Sequence, residues 1–169
     1  FKFLRPKADG TFDWDGDSAD WGDDGTFSGV LLNTGETNCT ATAGYYWVKA
    51  NTATLTYSIT PITTWGIIGS ATPGGWDSST PMTYNPTTKK WSIVVTLVDG
   101  EYKFRSNNIW NAGSVQYNLG GFQADKVGDD YAGESMSYGG ANLVVTAGTY
   151  LVELDLSNPR AYTYTLTPQ

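Results

Sequence analysis

The sequence has no histidine and a single cysteine, Cys39. Histidine is the usual general base near neutral pH and the commonest metal ligand, so its absence counts against an enzyme. One cysteine excludes an intrachain disulfide framework and a cysteine-based metal site. Cys39 also lies too far along the chain to be the acylated N-terminal cysteine of a lipoprotein. We therefore expect a non-catalytic protein without a cofactor.

Charge and long apolar runs are also scarce. Charged residues make up 16% of the chain, with 10 basic against 17 acidic side chains and a net charge of −7. Nucleic-acid binding needs clustered Lys and Arg, and here they are scattered, so we expect no nucleic-acid partner. No apolar run approaches the roughly 20 residues of a membrane helix, and no signal peptide opens the sequence. We expect a soluble fragment that could meet a membrane only through a lipid anchor outside these residues.

The chain is rich in aromatic residues, which make up 14% of it, and in turn-forming residues. Residues 91–97 alternate between apolar and mixed positions with the period of two that a strand requires. Gly, Pro, Asn and Asp separate such segments, as in 72–75, 84–86 and 157–159, and these residues supply the backbone angles of tight turns. Many short strands joined by turns predict an all-β fold, an antiparallel β-sandwich of immunoglobulin-like type.

Three segments of the first part of the chain recur near its end in the same order. The pairs are Phe1–Phe3 with Tyr102–Phe104, Thr42–Tyr46 with Thr146–Tyr150, and Tyr57–Pro61 with Tyr164–Pro168. The offset grows slightly from pair to pair, as small loop insertions would produce. The repeat predicts one complete β-module at 62–169, preceded at 1–61 by the C-terminal half of a second copy.

The sequence does not specify what completes the predicted half-module at 1–61. Half a sandwich leaves its core face open to water and its strand edges unpaired, so we expect the sequence to be a fragment of a longer tandem array. A separate small β-domain at 1–61 that merely shares strand patterns is the alternative. A dimer that donates the missing strands would be compatible with either interpretation.

Two tryptophans in polar loops are the main candidate binding residues. Trp76 lies in the Gly-rich loop 73–78, and an exposed indole loses burial energy unless a ligand covers it. Trp110 follows the strand 101–105, whose alternation places Lys103 and Arg105 on one face. Cationic donors, Asn111 and two indole faces would suit a sugar ring with its hydroxyls. The alternatives are that Trp76 folds back onto the sandwich edge and that the cations lie on a solvated face.

The remaining tryptophans and the acidic residues carry weaker predictions. Trp65 and Trp91 share strand faces with aliphatic residues and are expected in the core, whereas Trp47 is either packed between domains or part of an exposed patch. Residues 13–24 carry six carboxylates, which makes Asp13, Asp15 and Asp17 weak calcium candidates. Their spacing does not match the helix-loop-helix calcium motif, so a solvated acidic loop with no bound metal is the main interpretation.

A pair of carboxylates could in principle indicate a glycosidase. Asp129, Asp130 and Glu134 lie close together in sequence, and glycoside hydrolysis needs two carboxyl groups on opposite sides of a sugar bond. Nothing in the sequence specifies that geometry. We therefore expect binding without turnover.

The motifs together resemble the C-terminal modules of SusE/SusF-like proteins, surface lipoproteins of bacterial starch-utilisation systems. The resemblance covers essentially all of 62–169 and is most specific at Gly69–Asp77. It rests on residues 65–77, Trp91, residues 99–105, Asn107, Trp110, Gly120–Gly121 and residues 162–166. It implies a place at the cell surface on the outer membrane, α-glucan as ligand, and other outer-membrane glycan-uptake proteins as possible partners.

The layout is also similar to the starch-binding modules of glucoamylases. That resemblance implies a carbohydrate-binding site made of Trp76, Lys103 and Trp110, with Arg105 and Asn111 as hydroxyl partners. Lys2 and Trp14 would be the counterparts in the half-module, where Leu4 replaces the second cation. Relatives of such proteins serve other polysaccharides, so a different glycan remains open. A spacer or protein-docking module of a surface complex is the alternative function.

Overall fold

The computed structural model describes residues 1–12, 20–112, 115–121, 136–158 and 161–169. Within these ranges the chain forms 17 β-strands, so the predicted all-β class is confirmed. No helix in the described ranges is long and apolar enough to cross a membrane. The chain divides into two compact units, Phe1–Ile62 (unit 1) and Thr63–Gln169 (unit 2). The boundary lies one residue after the position expected from the repeat.

Each unit consists of short antiparallel strands. The strands of unit 1 are β1 (Phe3–Leu4), β2 (Asp20–Asp23), β3 (Leu31–Leu32), β4 (Tyr45–Asn51) and β5 (Thr56–Ile62). Those of unit 2 are β6 (Trp65–Ile68), β7 (Thr80–Pro81), β8 (Thr83–Asn85), β9 (Lys90–Leu97), β10 (Gly100–Ser106), β11 (Asn111–Ala112), β12 (Val115–Gln116), β13 (Asn118–Gly121), β14 (Met136–Tyr138), β15 (Leu143–Val145), β16 (Gly148–Asp155) and β17 (Thr163–Pro168).

Unit 2 is built from two main antiparallel sheets and a small two-stranded sheet, β11-β12. One has the strand order β14-β13-β10-β6-β7 with β15 also on β10, and the other has the order β17-β16-β9-β8. The side chains buried between them include Trp65, Ile67, Tyr102, Phe104, Leu119, Trp91, Val152 and Leu154. A ring contact of 5.9 Å between Phe104 and Tyr164 joins the two sheets. The layers form a β-sandwich, and the predicted core positions of Trp65 and Trp91 are confirmed.

The alternation of β10 decides what lies on each face of its sheet. Tyr102 and Phe104 point into the core and are buried. Lys103 and Arg105 therefore lie on the opposite face. In the neighbouring strands, Arg105 is directly opposite Gly66 of β6 and Asn118 of β13. This outer face of the sheet carries the candidate site.

The strand pairing of unit 1 reproduces that of the second half of unit 2. Phe3 pairs with Trp21 in the way that Phe104 pairs with Leu119. The β2–β3, β13–β14, β4–β5 and β16–β17 pairings follow in the same order. Strands β1 to β5 thus correspond to β10, β13, β14, β16 and β17. The described part of unit 1, residues 1–12 and 20–62, has no counterparts of β6 to β9.

Side-chain contacts repeat along with the strands. The rings of Phe3 and Tyr57 are 5.9 Å apart at an interplanar angle of 55°, and the equivalent Phe104 and Tyr164 have the same distance and angle. Thr42 and Tyr46 share a hydroxyl–hydroxyl hydrogen bond, as do Thr146 and Tyr150. The sequence repeat is therefore matched by the same order of strand pairs and by equivalent side-chain contacts in the two units. That unit 1 is the C-terminal half of a module stays a prediction.

A buried carboxylate holds unit 1 together at the turn after β2. Asp23 is fully buried and accepts hydrogen bonds from the Tyr57 hydroxyl at 2.6 Å and from the backbone N–H groups of Gly25 and Phe27. Burial alone would raise the pKa of Asp23, but these hydrogen bonds outweigh it and the pKa lies below its ordinary value. The carboxylate form is thus the one that unit 1 stabilises.

Replacing Asp23 by asparagine is expected to destabilise the protein most at neutral pH. A carboxyl group whose pKa is depressed on folding adds stability above its unfolded-state pKa, and that stability is lost as the pH falls through the folded-state pKa. The difference in melting temperature between wild type and Asp23→Asn should therefore narrow as the pH falls below about 4. Calorimetry across pH measures it, with Asp24→Asn as the neighbouring control. A difference that stays constant with pH would contradict this role.

Candidate binding site

The two loop tryptophans lie side by side at the surface of unit 2. Trp76 is in the loop between β6 and β7, and Trp110 lies between β10 and β11. Their ring centroids are 5.9 Å apart and their planes are inclined by 36°. Trp76 is 38% exposed and Trp110 is 36% exposed. Together the two indoles form one continuous exposed aromatic surface, the tryptophan platform.

Backbone hydrogen bonds hold the loop that carries Trp76. The N–H of Gly69 donates to the carbonyl of Gly75 at 2.9 Å, and the Thr72 hydroxyl donates to the carbonyl of Gly69 at the same distance. A side chain at Gly74 would place its Cβ 2.2 Å from the carbonyl oxygen of Ser78. This close approach explains the glycine and keeps the loop tight. Trp76 is therefore presented by an ordered loop, which lowers the entropy cost of binding.

A different local structure positions Trp110. Asn107 and Asn108 both adopt positive φ angles, 49° and 54°, which asparagine tolerates better than most residues. The Asn107 carbonyl Oδ1 accepts a hydrogen bond from the N–H of Thr63 at 2.9 Å. The carbonyl of Trp110 accepts one from the N–H of Tyr117, also at 2.9 Å. The turn after β10 thus brings the second indole back over the outer face of the sheet.

Arg105 contacts the ring of Trp110 and helps to hold it in the tryptophan platform. Its guanidinium carbon lies 5.0 Å from the ring centroid of Trp110, a cation–π contact. Its Nε donates to the hydroxyl of Ser79 at 2.9 Å, and the residue is only 6% exposed. Burial lowers the pKa of Arg105 from its ordinary value. Arg105 was predicted as a partner for sugar hydroxyls, and the structure places it mainly as a support for the Trp110 ring.

Gly66, directly opposite Arg105 on β6, leaves room for the contact between Arg105 and Ser79. Gly66 is opposite Arg105, and a Cβ there would lie 2.7 Å from the carbonyl oxygen of Thr80 and 2.9 Å from Cβ of Ser79. Any larger residue would push Ser79 away from the guanidinium. Ser79 was not among the predicted site residues because it lies in the loop before β7, 26 residues from Arg105 in sequence.

Lys103 is connected to the platform through Asn118. The Lys103 ammonium donates to Oδ1 of Asn118 at 2.9 Å, and Nδ2 of Asn118 donates to the Trp110 carbonyl at 3.3 Å and to Oε1 of Gln116 at 3.0 Å. Partial burial lowers the pKa of Lys103. Asn118 is itself buried and was not among the predicted site residues. Its position beside Arg105 depends on strand pairing, and no local signal in the sequence indicates that pairing.

Asn111 is the last of the predicted sugar-binding residues of unit 2. It is exposed, begins β11 directly after Trp110, and pairs with Gln116 of β12. The structure therefore brings Trp76, Lys103, Arg105 and Trp110 together at the outer face of the β10 sheet. Asn111 follows Trp110 in the separate two-stranded β11–β12 sheet, where Asn111 and Gln116 offer amide donors and acceptors.

The predicted second site in unit 1 is arranged differently. Lys2, the counterpart of Lys103, donates to Oδ2 of Asp20 at 2.7 Å and also to Glu36. These hydrogen bonds raise the pKa of Lys2. Leu4 stands where unit 2 has Arg105, and Trp14 lies outside the described residues. The Lys2 ammonium group thus donates to two carboxylates. It is therefore poorly placed to donate to a sugar hydroxyl.

The weak calcium candidates Asp13, Asp15 and Asp17 also lie outside the described residues. In the part of the chain that the structure describes, no group of three or more His, Cys, Asp or Glu side chains is arranged to hold a metal ion.

Two surface concavities are lined by residues of unit 1 alone. The larger, of about 590 Å³, is lined by Val48–Asn51 and Thr56–Ser58. The smaller, of about 340 Å³, is lined mainly by residues around Gly29 and Tyr57. The platform itself is an exposed surface whose chemistry comes from its rings and donors.

Comparisons with known proteins identify no relative of this chain. A functional assignment therefore depends on the chemistry of the site. No protein-family model matches the chain, and no curated protein aligns with it at a significant level.

If the site binds a glycan as the sequence predicts, Arg105→Lys is expected to weaken that binding without unfolding unit 2. Lysine keeps the charge but loses the planar group that stacks on Trp110 and the Nε–H that bonds Ser79. A cation–π contact contributes about 0.5–2 kcal/mol, so the affinity should fall by roughly two- to thirtyfold. Isothermal titration with maltoheptaose measures it, and tryptophan emission should shift as Trp110 loses its support. Arg5→Lys, at an exposed position in unit 1, is the matched control and should change neither quantity.

Proposed function

We propose that this protein binds a glycan without turning it over, through the tryptophan platform of unit 2. The observation that carries the proposal is the pair of adjacent, exposed indoles, Trp76 and Trp110, on well-ordered loops. Pyranose rings have an apolar face of C–H groups bordered by hydroxyls, so an indole can cover the face while polar groups bind the rim. Lys103, linked to Trp110 through Asn118, and the β11–β12 residues Asn111 and Gln116 are the polar groups that would bind the rim.

The inclination of the two rings favours a curved polysaccharide. An α-1,4-linked glucan coils, so its successive sugar rings are tilted, whereas a β-1,4-linked chain is a flat ribbon. Planes inclined by 36° suit the first better than the second. The resemblance of residues 62–169 to starch-binding modules points the same way. We therefore propose starch or maltooligosaccharide as the ligand and, from the same resemblance, a role in glycan uptake at the outer membrane.

A spacer or docking module is the alternative from a different class of function. A spacer would bury both tryptophans in the sandwich, and here both are exposed. A docking module could use the same exposed rings for a protein, and only ligand binding separates that from a glycan site. The net charge of −7 and the engagement of Arg105 and Lys103 with neighbouring side chains favour a neutral ligand over an anionic one.

Affinity electrophoresis against a panel of polysaccharides tests the proposal. We expect amylopectin and pullulan to retard the protein and a β-linked xylan to leave its mobility unchanged, with dextran testing the linkage requirement. The Trp76→Ala/Trp110→Ala double variant is the control and should run freely in every gel. A parallel assay should detect no release of reducing sugar. Equal mobility of wild type and double variant in all gels would contradict glycan binding at the platform.

A further inference from the structure

The side chain of Asn118 connects three groups at the tryptophan platform. It is buried, and β13 places it opposite Arg105 of β10. Its Oδ1 accepts a hydrogen bond from the Lys103 ammonium at 2.9 Å, while its Nδ2 donates to the Trp110 carbonyl at 3.3 Å and to Oε1 of Gln116 at 3.0 Å. The oxygen and both N–H groups of this buried amide therefore have partners.

These contacts determine the orientation of two amides. The Lys103 ammonium can only donate and the Trp110 carbonyl can only accept, so Asn118 must turn Oδ1 toward the lysine and Nδ2 toward the carbonyl. The same Nδ2 contacts Gln116, which must therefore present its oxygen to it. The oxygen of the Gln116 amide is thus bonded within the protein, and its Nε2 is the group that remains.

Gln116 is held in place by a second contact. Gly139 has a positive φ of 68°, and a Cβ there would lie 3.1 Å from Cγ and 3.4 Å from Cδ of Gln116. The Gly139 N–H also donates to the Asn118 carbonyl at 2.8 Å. Gln116 is nevertheless exposed, and among the described residues its Nε2 has no hydrogen-bond partner. The protein therefore orders this amide and leaves its two N–H groups for a ligand.

We propose that Gln116 is a specificity-determining residue of the glycan site, oriented by Asn118 so that Nε2 donates to an oxygen of the bound sugar. The inference rests on the proposed glycan binding and assigns the direction of one hydrogen bond within it. Lys103 is also a donor, with two N–H groups beyond its bond to Asn118. The matching ligand presents oxygen acceptors, as glucan hydroxyls do, and a polymer of glucosamine is disfavoured where its ammonium group would face these donors.

Gln116→Glu tests the direction of this hydrogen bond. The two side chains have nearly the same shape, and the introduced carboxylate still accepts from Asn118, but its second oxygen cannot donate. We expect the affinity for maltoheptaose, measured by isothermal titration, to fall about tenfold, because an oxygen then faces an oxygen. Gln116→Ala should reduce it only about threefold, because water can replace the missing donor. A greater loss for the isosteric change than for the truncation is specific to a donor.

Gln169→Glu is the matched control for the added charge. Gln169 is an exposed glutamine directly after β17, and its Nε2 donates to the Thr167 carbonyl. Its substitution should leave the affinity for maltoheptaose unchanged. Both Gln116 variants should melt like wild type, because the residue is exposed.

Nuclear magnetic resonance observes the donor directly. The side-chain amide protons of Gln116, identified by their loss in Gln116→Glu, should shift downfield when maltoheptaose is added. Unmoved Gln116 amide protons, or equal or tighter binding by Gln116→Glu, would overturn this inference alone if wild type binds and Trp76→Ala/Trp110→Ala does not. Absence of binding by wild type would overturn the proposed function together with it.

Discussion

Trp76→Ala and Trp110→Ala are each expected to weaken maltooligosaccharide binding by about 1–3 kcal/mol, taking the stacking of bases on aromatic side chains as the nearest measured analogue. Each substitution removes half of the tryptophan platform and leaves a sugar ring without its apolar partner. The rings are 5.9 Å apart, so the two losses should not be additive. Isothermal titration with maltoheptaose measures both variants and the double variant.

The fold should survive these two substitutions. Both indoles stand outside the core, on loops held by backbone hydrogen bonds that alanine leaves in place. Ile109→Ala, which shortens an exposed side chain next to Trp110, is the matched control and should retain most of the affinity. If the tryptophan variants bound glucan like wild type while melting much lower, the two residues would belong to the scaffold and the proposed site would be wrong.

Trp91→Ala is expected to cost about 3–5 kcal/mol of stability, a large share of the 5–15 kcal/mol typical of a domain. The side chain is buried in β9, pairs across the sheet with Leu154, and its ring lies 5.2 Å from that of Tyr84. Removing it opens a cavity that the neighbouring strands can only partly close. Equilibrium unfolding in urea measures the loss as a shift of the midpoint at unchanged slope.

Val94→Ala is the control on the same strand, because Val94 points outward and is exposed. Surface changes of this kind usually alter the stability by less than about 0.5 kcal/mol. Below its own melting temperature, Trp91→Ala should still bind maltoheptaose with nearly the affinity of wild type. A small stability loss combined with a large affinity loss would place Trp91 in the site and contradict the division between core and platform.

Several features of this protein follow from its sequence alone. The alternation of residues 91–97 predicted a strand with Trp91 inward, and the spacing of Lys103 and Arg105 placed both cations on the face away from Phe104. The three repeated segments predicted which strands unit 1 and unit 2 share. All of these depend on the strand period of two and on local similarity, which are properties of neighbouring residues in the chain.

The construction of the site was decided by tertiary structure. The contact between Trp76 and Trp110, the hydrogen bond from Arg105 to Ser79, and the hydrogen bond from Lys103 to Asn118 each join segments that are well separated in sequence. They depend on the register of β10 against β6 and β13, and a shift of one residue would turn every side chain of a strand to the other face. No local pattern specifies that register, because packing across the whole sheet selects it.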